Sequence, residues 1–148
     1  NLTCQYHFMP VETREISVIG KEDCGIVDIS EMVSEEVKNS KIRNGTVTVF
    51  CVGSTGAITT MEFEPNLSKD VSETLDKLIP LNKDYFHHKT WGDYNGGSHL
   101  RALFIGPSLT VPFVEKRLTL GTWQQIVCIN FDRIEKTRRI VLQIIGEF

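Results

Sequence analysis

The sequence predicts an α+β fold whose β-sheet is mainly antiparallel or mixed and sandwich-like, with two helices packed on it. Strand-like segments outnumber helical ones, and both helical segments lie before Pro80. Helices grouped in this way are typical of antiparallel sheets, because neighbouring parallel strands need a crossover connection that usually contains a helix. The 148 residues show no internal repeat and no linker. We therefore expect one domain that covers residues 1–148.

Strands are predicted where β-branched and apolar residues run between turn-forming residues. The clearest one is Thr46–Val52, which alternates and is β-branched. An irregular first strand is expected over Tyr6–Ile19, interrupted by Pro10. The other candidates are Ile26–Ile29, Ala57–Phe63, Leu100–Ile105, Leu109–Val114, Trp123–Phe131 and Arg139–Ile145.

Two segments have the apolar spacing of amphipathic helices. The first runs from about Ser30 to Asn39, with Asp28 or Ser30 as its N-terminal cap. Its apolar positions are Ile29, Met32, Val33 and Val37. The second runs from about Leu67 to Leu78, with Asn66 or Ser68 as its cap. Its apolar stripe consists of Leu67, Val71, Leu75 and Leu78.

Composition excludes several classes of protein. The formal net charge is −3 and no long basic run occurs, which argues against non-specific binding of nucleic acid. No apolar run approaches the roughly 20 residues that cross a bilayer, and the first ten residues do not resemble a signal peptide. We therefore expect a cytoplasmic protein without a membrane partner. The four cysteines form no C-x-x-C pair, and a disulfide between Cys4 and Cys24 stays open.

The segment His87–His99, here called the histidine loop, is the first candidate site. It contains three of the four histidines of the chain. His88 and His99, with one carboxylate, are a ligand set that zinc accepts. His87 is the poorer ligand, because adjacent residues of an extended segment point in opposite directions. Their spacing is not that of a helical H-E-x-x-H site, and a histidine-rich surface loop is the alternative.

Acidic residues form the second candidate. Alternation along the predicted strand places Glu62 and Glu64 on one face, and Asp70 follows in the first turn of the second helix. Carboxylates that lie close together raise one another's pKa, which suits a general acid or base, and they also bind divalent cations. The alternative is a solvated strand end beside a helix N-terminus, where acids are favoured.

Three further segments could contact a ligand. The turn Gly53–Gly56 could bind phosphate through its backbone and through Ser54 and Thr55, or it could be a hairpin turn. In Gly121–Gln124, Trp123 could line a pocket or belong to the core. The basic residues Arg133, Lys136, Arg138 and Arg139 could bind an anion or be solvated.

Several of these segments, in this order, resemble the YjbQ-like family of small proteins. They are Gly53–Glu62, Asp70, Tyr85 with His88, Asn95 with His99-Leu100, Leu120–Gln124, Asp132 and Arg139. The resemblance covers about Glu15 to the C-terminus. Two positions depart from the family pattern, because Gly53 stands where many members have histidine and Lys116 where many have glycine.

The resemblance implies an α+β subunit of a homotrimer. It also implies a secondary thiamine-phosphate synthase activity, which joins a pyrimidine methyl diphosphate to a thiazole phosphate and expels pyrophosphate. A divalent metal, zinc or magnesium, would be held by His88, His99 and Glu62, and these residues with Asp70 would be catalytic. The expected ligand-binding residues are Ser54, Thr55, Asn95, Thr122, Trp123, Gln124 and Arg139.

Two other functions use the same residues. A metal-assisted hydrolase of a small phosphorylated substrate would differ only in its nucleophile, which would be water. A protein that binds a metal or ligand without turnover is the remaining alternative.

Overall fold

A computed structural model describes residues 8–148 of the chain. The possible disulfide through Cys4 and the start of the predicted first strand at Tyr6 lie outside this range. In chain order the elements are β1 (Val11–Gly20), β2 (Gly25–Asp28), α1 (Ser30–Asn39), β3 (Asn44–Cys51), β4 (Gly56–Met61), α2 (Pro65–Leu78), α3 (His88–Trp91), α4 (Gly96–Ile105), β5 (Ser108–Val114), β6 (Arg117–Leu118), β7 (Gln125–Asn130) and β8 (Lys136–Glu147).

The strands form two sheets. The large sheet has the order β1-β8-β3-β5-β6, and the small sheet has the order β2-β7-β4. All strand pairs in both sheets are antiparallel. The predicted α+β class with a mainly antiparallel sheet is therefore confirmed.

The core lies between the two sheets and also contains one face of α1. Its members include Val33, Val37, Val47, Val49, Ile58, Ile126, Cys128, Ile140, Leu142 and Ile144. A second apolar cluster covers the opposite face of the small sheet, where Val127, Ile129 and Phe131 pack with Ala102 of α4. Because β7 is buried on both faces, its sequence is a nearly continuous apolar run. This packing fixes α4, and with it the end of the histidine loop, to the small sheet.

Helix α1 has the predicted bounds. Ile29, Val33 and Val37 are completely buried, but Met32 is exposed, so the buried stripe is narrower than predicted. The N-cap is Ile29, which makes no side-chain capping bond, so the prediction of Asp28 or Ser30 as the cap was wrong. The Asp28 carboxylate, one residue earlier, accepts a hydrogen bond from the Ser30 backbone N–H. The Ser30 hydroxyl instead accepts one from the backbone N–H of Ile126, which ties the helix to β7.

Helix α2 begins earlier than predicted. Its cap is Glu64, whose carboxylate accepts hydrogen bonds from the backbone N–H groups of Asn66 and Leu67. The prediction of Asn66 or Ser68 as the cap was wrong. The predicted strand face shared by Glu62 and Glu64 was also wrong, because β4 ends at Met61 and Glu64 belongs to the helix start.

The predicted strand Leu100–Ile105 was also wrong, because these residues are the end of α4. Ser98, Arg101 and Ala102 are buried with the spacing of a helix, whereas Leu103 and Phe104 are 71% and 73% exposed. The short apolar run is compatible with either structure, and its packing on the small sheet decides for the helix. No helix within residues 8–148 is long and apolar enough to cross a membrane.

Candidate functional site

The histidine loop folds back so that its two ends meet. Helix α3 is a single turn that ends at Gly92, which has a left-handed φ of 73°. Tyr94 is also left-handed, with φ at 54°, and α4 then begins at Gly96. This reversal places the rings of His87 and His99 with their centroids 4.6 Å apart.

His88, the predicted ligand, points into the loop. Its Nε2 accepts a hydrogen bond of 3.0 Å from the backbone N–H of Gly96. A Cβ at position 96 would lie 2.7 Å from the Cβ of Tyr85, which explains the glycine there. A neutral imidazole has one acceptor nitrogen, and here the backbone occupies it. This bond ties His88 to the start of α4, and its predicted metal-binding and catalytic role stays a prediction.

His87 takes the place beside His99 that was predicted for His88. Its Nε2 lies 3.8 Å from Oδ1 of Asp93, at the far side of the loop. The argument against His87 assumed an extended segment, but His87 has helical backbone angles and precedes α3. The side chains at 87 and 88 therefore do not follow strand alternation.

His99 is held largely in its neutral form. Burial lowers its pKa from the usual value of 6.5, and the neighbouring His87 lowers it further. The carboxylates of Asp132 and Asp93 and the backbone of Ser54 act in the opposite direction but do not outweigh burial. A neutral imidazole at physiological pH is able to accept a proton.

Three buried polar side-chain atoms of residues 8–148 have no hydrogen-bond partner, and all three lie in the histidine loop. They are Nε2 of His87, Oδ1 of Asn95 and Oγ of Ser98. Asn95 is the N-cap residue of α4, where its backbone oxygen accepts a bond from the His99 N–H, and its predicted ligand-binding role stays a prediction. Buried unpaired polar groups cost about 1–3 kcal/mol each and often mark functional sites.

A cavity of about 270 Å³ separates His99 from the turn Gly53–Gly56. Its lining residues are Gly53, Ser54, Gly56, His99, Ala102, Leu103 and Pro107. The turn does not form a hairpin, because β3 belongs to the large sheet and β4 to the small one. Ser54 is exposed, and Gly53 has a φ of +122° that a residue with a side chain rarely adopts.

Thr55 does not face this cavity with its hydroxyl. The residue is 4% exposed, and its Oγ1 donates to Oδ2 of Asp132 at 2.9 Å. The same oxygen accepts a bond of 2.7 Å from Nη2 of Arg138. Of the two hydroxyl residues in this turn, Ser54 is exposed and Thr55 is part of the buried framework.

Arg138, one of the four basic residues that the sequence offered for binding an anion, lies directly behind the turn. A Cβ built on Gly53 would be 3.1 Å from its Nη1. The guanidinium is buried and bonds to the neutral oxygens of Thr55 and Asn130. The nearby carboxylate of Asp132 pairs with Lys136. The turn is therefore backed by a buried positive charge without a carboxylate bonded directly to it.

Arg139, the predicted ligand residue, lies on the other face of β8. It is exposed and pairs with Glu15 of β1. Every second residue of β8 is buried, at positions 138, 140, 142 and 144. The alternation along the strand therefore distinguishes the buried Arg138 from the exposed Arg139.

The remaining predicted residues are not brought to this cavity. Glu62 and Asp70 are exposed, and no group of three His, Cys, Asp or Glu side chains in the described part of the chain could hold a metal. The predicted set His88, His99 and Glu62 thus does not fit a metal ion within one chain. Gln124 bonds to Thr60 and lines a second cavity, of about 350 Å³.

The segment that contains Gln124 is a turn before β7. Trp123 is 74% exposed, so it is not a core residue, and Thr122 is exposed beside it. The predicted ligand-binding residues therefore divide between two separate places on the subunit.

Comparisons with known proteins agree with this fold. The sequence profile of the family described as UPF0047 protein YjbQ-like matches residues 14–147. A UPF0047 protein of Methanothermobacter thermautotrophicus is 37% identical over 140 residues, which are 95% of this chain and 96% of that protein. The UPF0047 protein YugU of Bacillus subtilis is 26% identical over 137 residues, covering 92% and 99% of the two chains.

Solved structures extend the similarity to three dimensions. A YbjQ-like protein of unknown function from Sulfolobus solfataricus superposes with a TM-score of 0.87 at 31% identity, over 95% of this chain and 100% of that chain. A hypothetical protein from Aeropyrum pernix superposes with a TM-score of 0.85 at 30% identity, over 92% and 99%. The chain belongs to the YjbQ-like UPF0047 family.

Proposed function

We propose that the protein is an enzyme that hydrolyses a phosphate ester or diphosphate of a small molecule in the cavity between Ser54 and His99. One observation carries the proposal: a neutral imidazole faces a glycine-rich turn that is backed by the buried charge of Arg138. Phosphate groups are recognised by small-residue turns and by positive charge, and hydrolysis needs a base to activate water.

In this reaction His99 takes a proton from water, and the water oxygen attacks phosphorus. The bond from phosphorus to the leaving oxygen breaks, and that oxygen keeps the electron pair and takes a proton from solvent, to which His99 releases the proton it accepted. Ser54 and the positive field of Arg138 stabilise the charge that develops on the phosphoryl oxygens. His87 is a positioning residue, because its ring touches that of His99 and its Nε2 lies 3.8 Å from the Asp93 carboxylate.

A second candidate is the thiamine-phosphate-synthase type of transfer that the family resemblance implies. It is favoured by the exposed indole of Trp123, which could stack on a heteroaromatic ring, with Gln124 bonding to the ring edge. Within one subunit Trp123 does not line the cavity of His99. This reaction therefore depends on the homotrimer that the resemblance also implies, in which a neighbouring subunit would supply Trp123. We place either reaction in the cytoplasm.

Product analysis separates the two reactions. The protein is incubated with a panel of phosphorylated metabolites, and with a pyrimidine methyl diphosphate with and without a thiazole phosphate. Release of phosphate or pyrophosphate from a single organic substrate supports hydrolysis, whereas release only with both substrates supports transfer. The mass of the protein in solution tests the trimer, and a monomer would contradict the transfer proposal.

The pH profile is a second discriminator. Hydrolysis by neutral His99 should fall as the pH drops through the pKa of His99, below the usual 6.5. The ring nitrogen of a thiazole carries no proton that must be removed, so transfer does not need this base. Ser54→Ala and Arg138→Gln should each reduce turnover, while Arg139→Gln is the matched control on the opposite face of β8. Full activity of Arg138→Gln would contradict the hydrolysis proposal.

A further inference from the structure

A third and larger cavity lies away from His99, between α2, α4 and the turn that joins β1 to β2. Its volume is about 510 Å³, within the range of about 300–1,000 Å³ that is typical of small-molecule sites. Both acidic and basic side chains line it, principally Glu22, Asp23, Asp76, Arg101 and Arg133. None of them belongs to the proposed hydrolytic site.

Arg101 provides one half of a recognition site. Its side chain is 1% exposed, its Nε donates to the backbone oxygen of Ile79, and its Nη2 donates to Oδ1 of Asp76, each at 2.9 Å. A guanidinium has five N–H donors, so three remain without an acceptor among residues 8–148. A buried guanidinium with unused donors beside an open cavity is suited to a carboxylate.

Carboxylate oxygens provide the other half. Oδ1 of Asp76 accepts from Arg101, and Oδ1 of Asp23 accepts from Nε of Arg133 at 2.9 Å. The second oxygen of each carboxylate accepts no hydrogen bond from residues 8–148. The carboxylate of Glu22 accepts none from these residues either. Three acids and two arginines give the lining a formal charge of −1, so a simple anion is disfavoured there. An ammonium group would bind the open oxygens, and a ligand that carries one together with a carboxylate adds no net negative charge.

We propose that this cavity binds a free α-amino acid, with its carboxylate on Arg101 and its ammonium group at Asp76 and Asp23. In an α-amino acid the two charged groups are attached to one carbon atom. Arg101 and Asp76 are in direct contact, so the unused N–H donors of Arg101 lie near the second oxygen of Asp76. This arrangement suits a carboxylate and an ammonium group that are attached to the same carbon atom. The rest of the cavity, with Ser72 and Cys24 in its lining, accommodates the amino-acid side chain.

The test is a thermal-shift titration of the full-length protein with each of the twenty common amino acids. Acetate, inorganic phosphate and methylamine at equal concentrations are the single-charge controls. At 100 times its Kd a specific amino acid should raise the Tm by roughly 5–10 °C. A rise with an amino acid and none with the controls supports the proposal. No rise with any amino acid, or an equal rise with acetate or methylamine, overturns it.

Two matched variants of α2 locate the binding. Ser72→Phe fills the cavity, and Glu73→Phe adds the same side chain at the exposed neighbouring position. The amino-acid shift should be lost in the first variant and kept in the second. If Ser72→Phe does not fold, protection of Cys24 from iodoacetamide by the amino acid, in a Cys4→Ser background, replaces it. Retention of the shift in Ser72→Phe, or unchanged alkylation of Cys24, overturns the proposal.

Discussion

The substitution Thr55→Val tests whether Thr55 stabilises the fold rather than binding a ligand. Valine keeps the shape of threonine but removes the hydroxyl that joins Asp132 to Arg138. Both partners are almost completely buried, at 6% and 4% exposure, so water cannot replace the lost bonds. Burial alone would raise the pKa of Asp132, yet hydrogen bonds from Lys136, Thr55 and the Arg133 backbone hold it below its usual value.

The expected loss of stability follows from these two bonds. A hydrogen bond to a charged group contributes roughly 1.5–3 kcal/mol, and both partners keep other bonds, so the variant should lose about 3 kcal/mol in total. The corresponding fall in Tm is roughly 6–12 °C for a chain of this size. Because the pKa of Asp132 should rise in the variant, the loss should be present at neutral pH and shrink as the pH falls through the acidic range.

Urea unfolding of the wild type, Thr55→Val, Thr55→Ser and Ser54→Ala measures this directly. Thr55→Ser keeps the hydroxyl and should recover most of the stability. Ser54→Ala alters an exposed side chain and should change stability by less than about 0.5 kcal/mol, while it reduces turnover. A loss below about 1 kcal/mol in Thr55→Val, or an equal loss in Ser54→Ala, would refute the framework role of Thr55.

Three further outcomes are expected. The folded state lowers the pKa of His99, so the unfolded chain binds a proton at this residue more readily and the wild type should lose stability as the pH falls through about 6.5. In His99→Gln the Tm should therefore depend less steeply on pH between pH 8 and 5. Equal slopes in the two proteins would contradict this. Arg139→Gln should leave activity intact, as measured by phosphate release, whereas Arg138→Gln should abolish it. His88→Ala should cost about 1–3 kcal/mol in urea unfolding and speed amide exchange at Gly96, and normal protection of that amide would show that the hydrogen bond is dispensable.

The fold class could be predicted because strands leave a local signature. Burial on one face gives a periodic pattern of apolar residues that are close together in the chain. This pattern is present in the alternation of Thr46–Val52 and in the spacing of Ile29, Val33 and Val37. The run Leu100–Ile105 carries no such periodicity. Its helical form depends on packing against the small sheet, which is a contact with distant parts of the chain.

The candidate site was predicted in composition but not in its working members. Of the predicted residues, His99 and Ser54 line the cavity, and Asn95 lies at the start of α4. His87 rather than His88 lies beside His99, because a left-handed glycine and a helical turn replaced the extended segment that the prediction assumed. The sequence could not show which of the two histidines lies beside His99, because they are adjacent and chemically identical.

The sequence by itself determined the antiparallel strands, the first helix and a polar loop rich in histidine, since each depends on residues within about ten positions of one another. Tertiary structure alone decided that His87 meets His99, that Thr55 is enclosed, and that Arg138 rather than Arg139 stands behind the turn. The physical reason is distance along the chain. Thr55 and Arg138 are 83 residues apart, and the packing of the two sheets brings their side chains to 2.7 Å.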